Sequence, residues 1–114
     1  MNGRFVIHTK LVIARFDPRY HEAQKFLDNE VLRDSAPYVP FRTGNLMGSG
    51  NTGTVIGSGE VVYNAPYAKR VYYAKGAHFN KEKHPQAQAQ WFEKAKATKK
   101  DAWVKGVRRI VTGR

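Results

Sequence analysis

The sequence predicts a small α+β domain in which an antiparallel sheet of about three or four strands is packed by an N-terminal helix and a C-terminal helical region. Three observations predict this class: apolar and polar residues alternate near the start of the chain, apolar residues recur at helical spacing in two other segments, and a glycine-rich stretch lies between them. The chain has 114 residues, of which 41% are hydrophobic, so it can bury one core, and we expect a single domain over residues 1–114.

The first strand and the first helix follow from residue spacing. Over Arg4–Phe16, apolar side chains alternate with polar ones, which predicts an extended strand. Pro18 suits the first turn of a helix and precedes apolar residues at helical spacing, so we expect a helix over Pro18–Asp34. Pro37 and Pro40 end this helix, because each proline disfavours the helical conformation in the residue before it.

A glycine-rich stretch follows. Six glycines between positions 41 and 59 favour turns and thin strands over a helix. Ser58-Gly59 separates Thr54–Ile56 from Glu60–Tyr63 as the turn of a β-hairpin would. We therefore expect a two-stranded, glycine-rich hairpin region at residues 45–59.

The next segments are a short helix and a loop. Asn64-Ala65-Pro66 supplies a cap and an N-terminal proline for a helix over Tyr67–Ala74. Residues 75–90 combine Gly, Pro and alternating Gln and Ala with little apolar content, which predicts a long exposed loop. Both this loop and the hairpin at 45–59 are candidate interaction arms.

Helical spacing returns near the C-terminus. One continuous helix over residues 91–111 would place three lysines on its apolar face: Lys96, Lys99 and Lys100. Thr98 and Asp101 have the spacing of a capping box, which would start a new helix. We therefore predict two helices, Trp91–Ala97 and Lys99–Val111.

Positive charge is concentrated in the second half of the chain. The formal net charge is +11, of which residues 1–64 contribute +1 and residues 65–114 contribute +10. Such a field attracts nucleic acid, an anionic membrane or an acidic protein surface, and composition does not choose among them. The candidate contacts to DNA or an acidic partner are Lys69, Arg70, Lys94, Lys105, Arg108 and Arg109.

The aromatic residues leave two interpretations open. Trp91 and Trp103 either stack on nucleic acid or belong to the core beneath a solvated basic face. Four tyrosines pose a similar choice between a stacking platform and a place in the core or a protein interface: Tyr63, Tyr67, Tyr72 and Tyr73.

Catalytic and cofactor chemistry is not indicated. The chain has no cysteine, which excludes thiolate sites, and its four histidines lack ligand spacing. Gly48–Gly53 spells the letters of a dinucleotide-binding loop without the strand, helix and acidic residue that such a loop needs. We expect no cofactor, no metal and no enzymatic activity.

The most apolar run, residues 5–16, is interrupted by basic residues, so we expect neither a membrane span nor an export signal.

Three sequence blocks together carry a family resemblance: Pro37–Leu46, Asn64–Tyr73, and Trp91–Lys96 with Trp103 downstream. In this order and spacing the chain resembles the minor capsid proteins of long-tailed bacteriophages, which belong with the head-tail joining or tail completion proteins. Gln90 departs from the pattern, because an arginine often precedes the tryptophan. The motif residues are Pro40, Thr43, Gly44, Leu46, Pro66, Tyr67, Ala68, Tyr73 and Trp91.

The resemblance implies a structural protein of the virion without enzymatic turnover. It would form a ring, with a hexamer favoured, at the neck between capsid portal and tail after assembly in the host cytoplasm. Its partners would be copies of itself, portal-side connector and tail proteins, with DNA in the lumen as a further candidate. The alternative is a free-standing basic nucleic-acid-binding protein.

The motif residues also have a physical interpretation of their own. Thr43-Gly44 can form a turn in which glycine takes a positive φ, after which Leu46 enters the core. Tyr67 and Tyr73 would pack the short helix on the sheet, and Ala68 would permit a close approach. Lys69 and Arg70 would face outward.

Overall fold

The computed structural model describes residues 3–11, 18–40, 44–74, 79, 81 and 84–113. These residues form strands β1 (Phe5–His8) and β2 (Glu60–Tyr63), together with helices α1 (Pro18–Ser35), α2 (Asn45–Gly53), α3 (Ala68–Tyr72) and α4 (Trp91–Thr112). A 3-10 turn over Ala36–Tyr38 follows α1. The α+β class is confirmed, whereas a count of three or four strands is not: within the described residues the sheet has two strands.

The sheet pairs the two strands antiparallel, with Phe5 opposite Tyr63 and His8 opposite Glu60. The predicted first strand is confirmed over Phe5–His8, and its part at 12–16 lies outside the described residues. The predicted hairpin is wrong, because β2 pairs with β1 and residues 54–56 form no strand. Pairing between segments so distant in sequence leaves no local signal comparable to a turn.

Helix α2 replaces the first part of that hairpin. Leu46, Ser49 and Gly50 are buried on one face of α2, at the spacing at which helical residues share a face. A Cβ added at Gly50 would lie 2.6 Å from Cε1 of Tyr63, so glycine here permits close packing rather than a turn. Tertiary packing therefore overrides the weak helix propensity of this segment. Gly44, with a φ of 84°, precedes the helix in the left-handed conformation that the sequence predicted.

A buried carboxylate joins three separate segments. Asp28 in α1 is 0% exposed and accepts four hydrogen bonds. Its Oδ1 accepts from the Thr9 hydroxyl and from Nε2 of Gln24 at 2.9 Å, while Oδ2 accepts from the backbone N–H groups of Gly57 at 2.8 Å and Gly59 at 3.1 Å. The positive φ angles of both glycines let alternate N–H groups point at one oxygen. Asp28 thus fixes the end of β1, helix α1 and the loop before β2 relative to one another.

Gln24 completes this network one helical turn earlier. Its Oε1 accepts from the N–H of Leu11 at 2.9 Å, and its Nε2 also donates to the carbonyl of Thr9 at 3.0 Å. The side-chain amide thereby satisfies the backbone beyond β1 as a neighbouring strand would. Sequence reasoning missed both residues, although Gln24, Asp28 and Val31 share one helix face by their spacing.

Helices α1 and α4 pack antiparallel. Nε1 of Trp103 donates to Oδ2 of Asp34 at 2.7 Å, and a Cβ added at Gly106 would lie 2.2 Å from Cζ of Phe26. The predicted helix Pro18–Asp34 is confirmed within one residue.

Helix α4 is continuous, so the predicted division at Thr98 is wrong. The Thr98 hydroxyl donates back to the carbonyls of Lys94 at 3.4 Å and Ala95 at 3.1 Å, and therefore stays within the helix instead of capping a new one. All three lysines that prompted the division are exposed: Lys96, Lys99 and Lys100. Their long aliphatic stems let the ammonium groups reach solvent from a half-apolar face.

An aromatic cluster fills the core between the sheet, α3 and α4. Phe5 and Tyr72 stack with ring centroids 3.7 Å apart, and Trp91 meets Tyr63 edge-on at 5.3 Å and Tyr72 edge-on at 4.7 Å. Trp91 is 0% exposed. This cluster anchors the start of α4 against β1 and β2.

Replacing the buried carboxylate should destabilise the fold strongly. We expect Asp28→Asn to lower the free energy of unfolding by about 2–4 kcal/mol. Asparagine has an NH₂ group in place of one carboxylate oxygen, so a donor would face the O–H or N–H donors to which that oxygen is now bonded. Urea unfolding measures the change. Asp101→Asn, on the exposed face of α4, is the control and should stay within about 0.5 kcal/mol of the parent. Equal effects of the two substitutions would contradict the assigned role of Asp28.

Two glycines of α2 should respond oppositely to alanine. We expect Gly50→Ala to cost about 1–3 kcal/mol, because its Cβ would overlap the buried ring of Tyr63. A Cβ at Gly48 meets nothing within 4 Å, so Gly48→Ala should stabilise the helix by about 0.5–1 kcal/mol. Thermal unfolding followed by circular dichroism distinguishes the pair, and shifts of the same sign would argue against a packed α2.

Candidate interaction surfaces

The predicted motif residues divide between core and surface. Leu46, Ala68 and Trp91 are buried, as predicted for Leu46 and Ala68. Pro40 and Tyr67 are half-buried, and Pro66 is exposed. Thr43 lies outside the described residues.

The aromatic residue that packs α3 is Tyr72 rather than Tyr73. Tyr72 shares the inward face of α3 with Ala68, four positions earlier, and is 3% exposed, whereas Tyr73 is 56% exposed. Burial, assisted by the nearby charge of Glu93, raises the pKa of Tyr72 to about 12. Burial likewise raises the pKa of Tyr63 above its ordinary value. The expectation that Tyr73 packs this helix on the sheet holds only for an edge contact with Phe5, at 5.9 Å between ring centroids. A stacking platform that includes Tyr63 and Tyr72 is excluded by their burial.

Both tryptophans belong to the core. Trp91 is 0% and Trp103 5% exposed, and Trp103 is bound to Asp34 as described above. Neither ring is available to stack on a nucleic-acid base, so the core interpretation is confirmed for both. Sequence-tolerant binding of single strands through these rings is therefore excluded.

Helix α4 carries a row of exposed cations, here called the α4 basic stripe: Lys94, Lys105, Arg108 and Arg109. At 100° per residue all four positions lie roughly 120° or more around the helix from the buried Trp103. From first to last the stripe extends roughly 22 Å along the axis. Because α4 is one rod, these charges keep a fixed spacing that two separate helices would not ensure.

Two further cations flank the core on α3. Lys69 and Arg70 are exposed, as predicted. The N–H of Lys69 donates to the carbonyl of Gly3 at 2.8 Å, which places Lys69 beside the start of β1. They are thus on a different element from the α4 basic stripe.

The loop over residues 54–59 presents an apolar side chain on a fixed backbone. Val55 is 72% exposed, yet its carbonyl accepts from the N–H of Ser58 at 3.0 Å. Gly57 and Gly59 are held by Asp28, as described above. A contact made by Val55 therefore costs little ordering entropy. The sequence predicted an interaction arm in this region, but as a glycine-rich β-hairpin instead of a loop held by hydrogen bonds.

The predicted exposed loop at 75–90 is held against the body over 84–90. Nδ1 of His84 lies 2.7 Å from the carbonyl of Val39, and the N–H of Gln88 donates to the carbonyl of Tyr38 at 2.9 Å. Ala87 is 1% exposed. The expectation of an exposed loop is therefore wrong for this part, and residues 75–78, 80, 82 and 83 lie outside the described residues.

One groove among the described residues is lined mainly by apolar side chains. A groove of about 390 Å³ between α1 and α4 has apolar walls that include Leu27, Val107 and Val111. Among the described residues no group of three or more His, Asp or Glu side chains could hold a metal ion. No helix in the same part of the chain is long and apolar enough to cross a bilayer.

Comparison with known proteins agrees with the resemblance carried by the three sequence blocks. A family model described as minor capsid protein matches residues 10–111, a range that extends from just after β1 almost to the end of α4. No curated protein and no solved structure matches the chain. The family resemblance is confirmed.

The two neighbouring tyrosines should differ sharply on truncation. We expect Tyr72→Ala to lower the free energy of unfolding by about 3–5 kcal/mol, because it removes a ring buried against Phe5 and Trp91. Tyr73→Ala should cost less than about 1 kcal/mol, since most of that side chain is in solvent. Chemical denaturation measures both. The reverse order of effects would show that Tyr73, not Tyr72, packs α3.

Proposed function

This chain belongs to the minor capsid protein family, and from that premise we propose that it is a subunit of a homo-oligomeric ring in the head-tail connection of a tailed phage. The family makes it a structural protein of the phage particle and a component of the virion. The match across nine tenths of the chain carries this conclusion. The neck position, the ring and the absence of enzymatic turnover are the proposed refinements.

Two fixed surfaces support a ring. Head-to-tail contacts between copies need two distinct patches on each subunit. The loop with exposed Val55 offers an apolar side chain on a hydrogen-bonded backbone, and the apolar groove between α1 and α4 offers a second patch of matching chemistry. A hexamer is the favoured assembly.

The α4 basic stripe has a proposed role at the boundary of the ring. Helix α4 holds seven Lys and Arg against two Asp and Glu, and all seven cations are exposed. Acidic surfaces of neighbouring neck proteins and DNA in the lumen both carry the charge that this face attracts. We propose the stripe as the contact to one of these two partners.

The second candidate function is a free-standing nucleic-acid-binding protein. The α4 basic stripe favours it, because several exposed cations along one helix can neutralise phosphates without reading sequence. The burial of both tryptophans counts against it, since the stripe then lacks aromatic groups for stacking.

Self-association should depend on the 54–59 loop. The size of the protein is measured by light scattering, first for the protein alone and then with the portal and tail proteins of the same phage. We expect an assembly that persists in moderate salt. Val55→Glu should weaken it at least about tenfold, because a charge at an interface core is poorly tolerated. Asn29→Glu carries the same charge change at an exposed position of α1, outside the 54–59 loop and α4, and should assemble like the parent. A chain that stays monomeric with and without these partners would overturn the ring.

A salt titration on duplex DNA separates the second function from the first. For a free-standing DNA-binding protein, affinity should fall by orders of magnitude between about 50 and 200 mM salt. Replacing Lys105, Arg108 and Arg109 by Glu should then abolish binding without changing the unfolding temperature. Tight DNA binding by a stable monomer that ignores phage partners would favour this second function over the ring.

A further inference from the structure

The edge of β1 that faces away from β2 has backbone N–H and C=O groups without a hydrogen-bond partner among the described residues. The N–H of Thr9 donates to the carbonyl of Gly59 at 2.9 Å, which continues the β1–β2 register. In an antiparallel pair, bonded residues alternate, so Phe5, Ile7 and Thr9 direct their backbone groups towards β2. The N–H and C=O groups of Val6 and His8 therefore face the opposite edge.

The outer edge of β2, in contrast, is occupied. The N–H of Val62 donates to the Thr54 hydroxyl at 2.8 Å, and that hydroxyl donates to the Val62 carbonyl at 3.4 Å. The N–H of Asn64 reaches the carbonyl of Ser49 at 3.5 Å. Within the described residues no comparable bond covers the backbone of Val6 or His8.

A groove runs along this open edge. Its volume is about 490 Å³, and all of β1 lines one wall. The opposite wall includes Tyr73, Phe92 and Glu93. Four extended residues would occupy about 13 Å beside β1, and the exposed ring of Tyr73 would lie against their side chains.

We propose that the open edge of β1 is a strand-addition site for an acidic extended segment of another protein. Backbone groups spaced along an edge select an extended chain, because only a strand can pair with them in sequence. Two exposed lysines adjoin the strand, since Lys10 follows β1 and Lys69 is bonded through its backbone N–H to Gly3 before it, while Glu93 is the acidic residue of the groove lining. With a net charge of +11, the chain attracts acidic segments and repels basic ones.

A second copy of β1 is disfavoured in the register that pairs Val6 with His8 of the other copy. In this register, which is centred on Ile7, Lys10 would lie opposite Arg4 of the other copy at both ends of the pair. Like charges at directly opposed positions destabilise a strand pair. The site is independent of the proposed ring, whose self-contact involves the 54–59 loop.

Amide hydrogen exchange by NMR tests the site residue by residue. The probe is a peptide of about eight residues, long enough to fill the groove, with alternating Thr and Val and aspartates at both ends. We expect the peptide to slow exchange at Val6 and His8 by at least about tenfold, while Phe5 and Ile7 are slow with and without it. A matched peptide with lysines in place of the aspartates should bind about tenfold more weakly.

Two variants identify the binding groups. Val6→Pro removes the outward N–H without touching a β1–β2 bond and should abolish peptide binding, whereas Val6→Ile keeps the N–H and should bind like the parent. Tyr73→Ala should weaken binding several-fold. Three results would overturn the proposal: unchanged exchange at Val6 and His8, equal binding of both peptides, or protection that appears with increasing protein concentration alone. If Val6→Pro fails to fold, the exchange data of the wild-type protein still decide.

Discussion

The carboxylate of Asp28 is the constraint on which the arrangement of the other elements depends. A fully buried carboxylate is costly unless every lone pair has a donor, and here the donors come from Thr9 directly after β1, from α1 and from the loop before β2. Satisfying one residue therefore fixes three segments at once. The strand register, the presentation of Val55 and the direction of the open β1 edge all follow from where those donors must lie.

The sequence predicted the elements whose signals are local. Pro18 with its following apolar spacing located α1, Pro66 located α3, and Leu46 was recognised as a core residue. The wrong predictions have a common physical cause, which is that the same residue type occurs in two different structural roles. Glycine is typical of turns, but Gly50 lies in a helix and permits close packing against Tyr63. Thr98 has the position of a cap but donates back into its own helix.

The site residues were predicted in the same uneven way. Exposure of Lys69, Arg70 and the α4 basic stripe follows from charge alone, and the structure agrees. The choice between Tyr72 and Tyr73 depends on where α3 begins, and a shift of one residue rotates the helix face by about 100°. The pairing of β1 with β2 depends on contacts between segments separated by about half of the chain, which no local pattern encodes.

An open strand edge is ordinarily a liability, because it invites pairing between identical chains. Here the strand is four residues long and ends two residues before Lys10, and the exposed His8 has its Nδ1 3.6 Å from Oε2 of Glu60. Short length and positive charge discourage a second positively charged copy, yet the backbone groups of Val6 and His8 have no partner among the residues that the structure describes. The same charge that opposes self-pairing attracts an acidic strand, so protection against aggregation and selection of a partner have one physical origin.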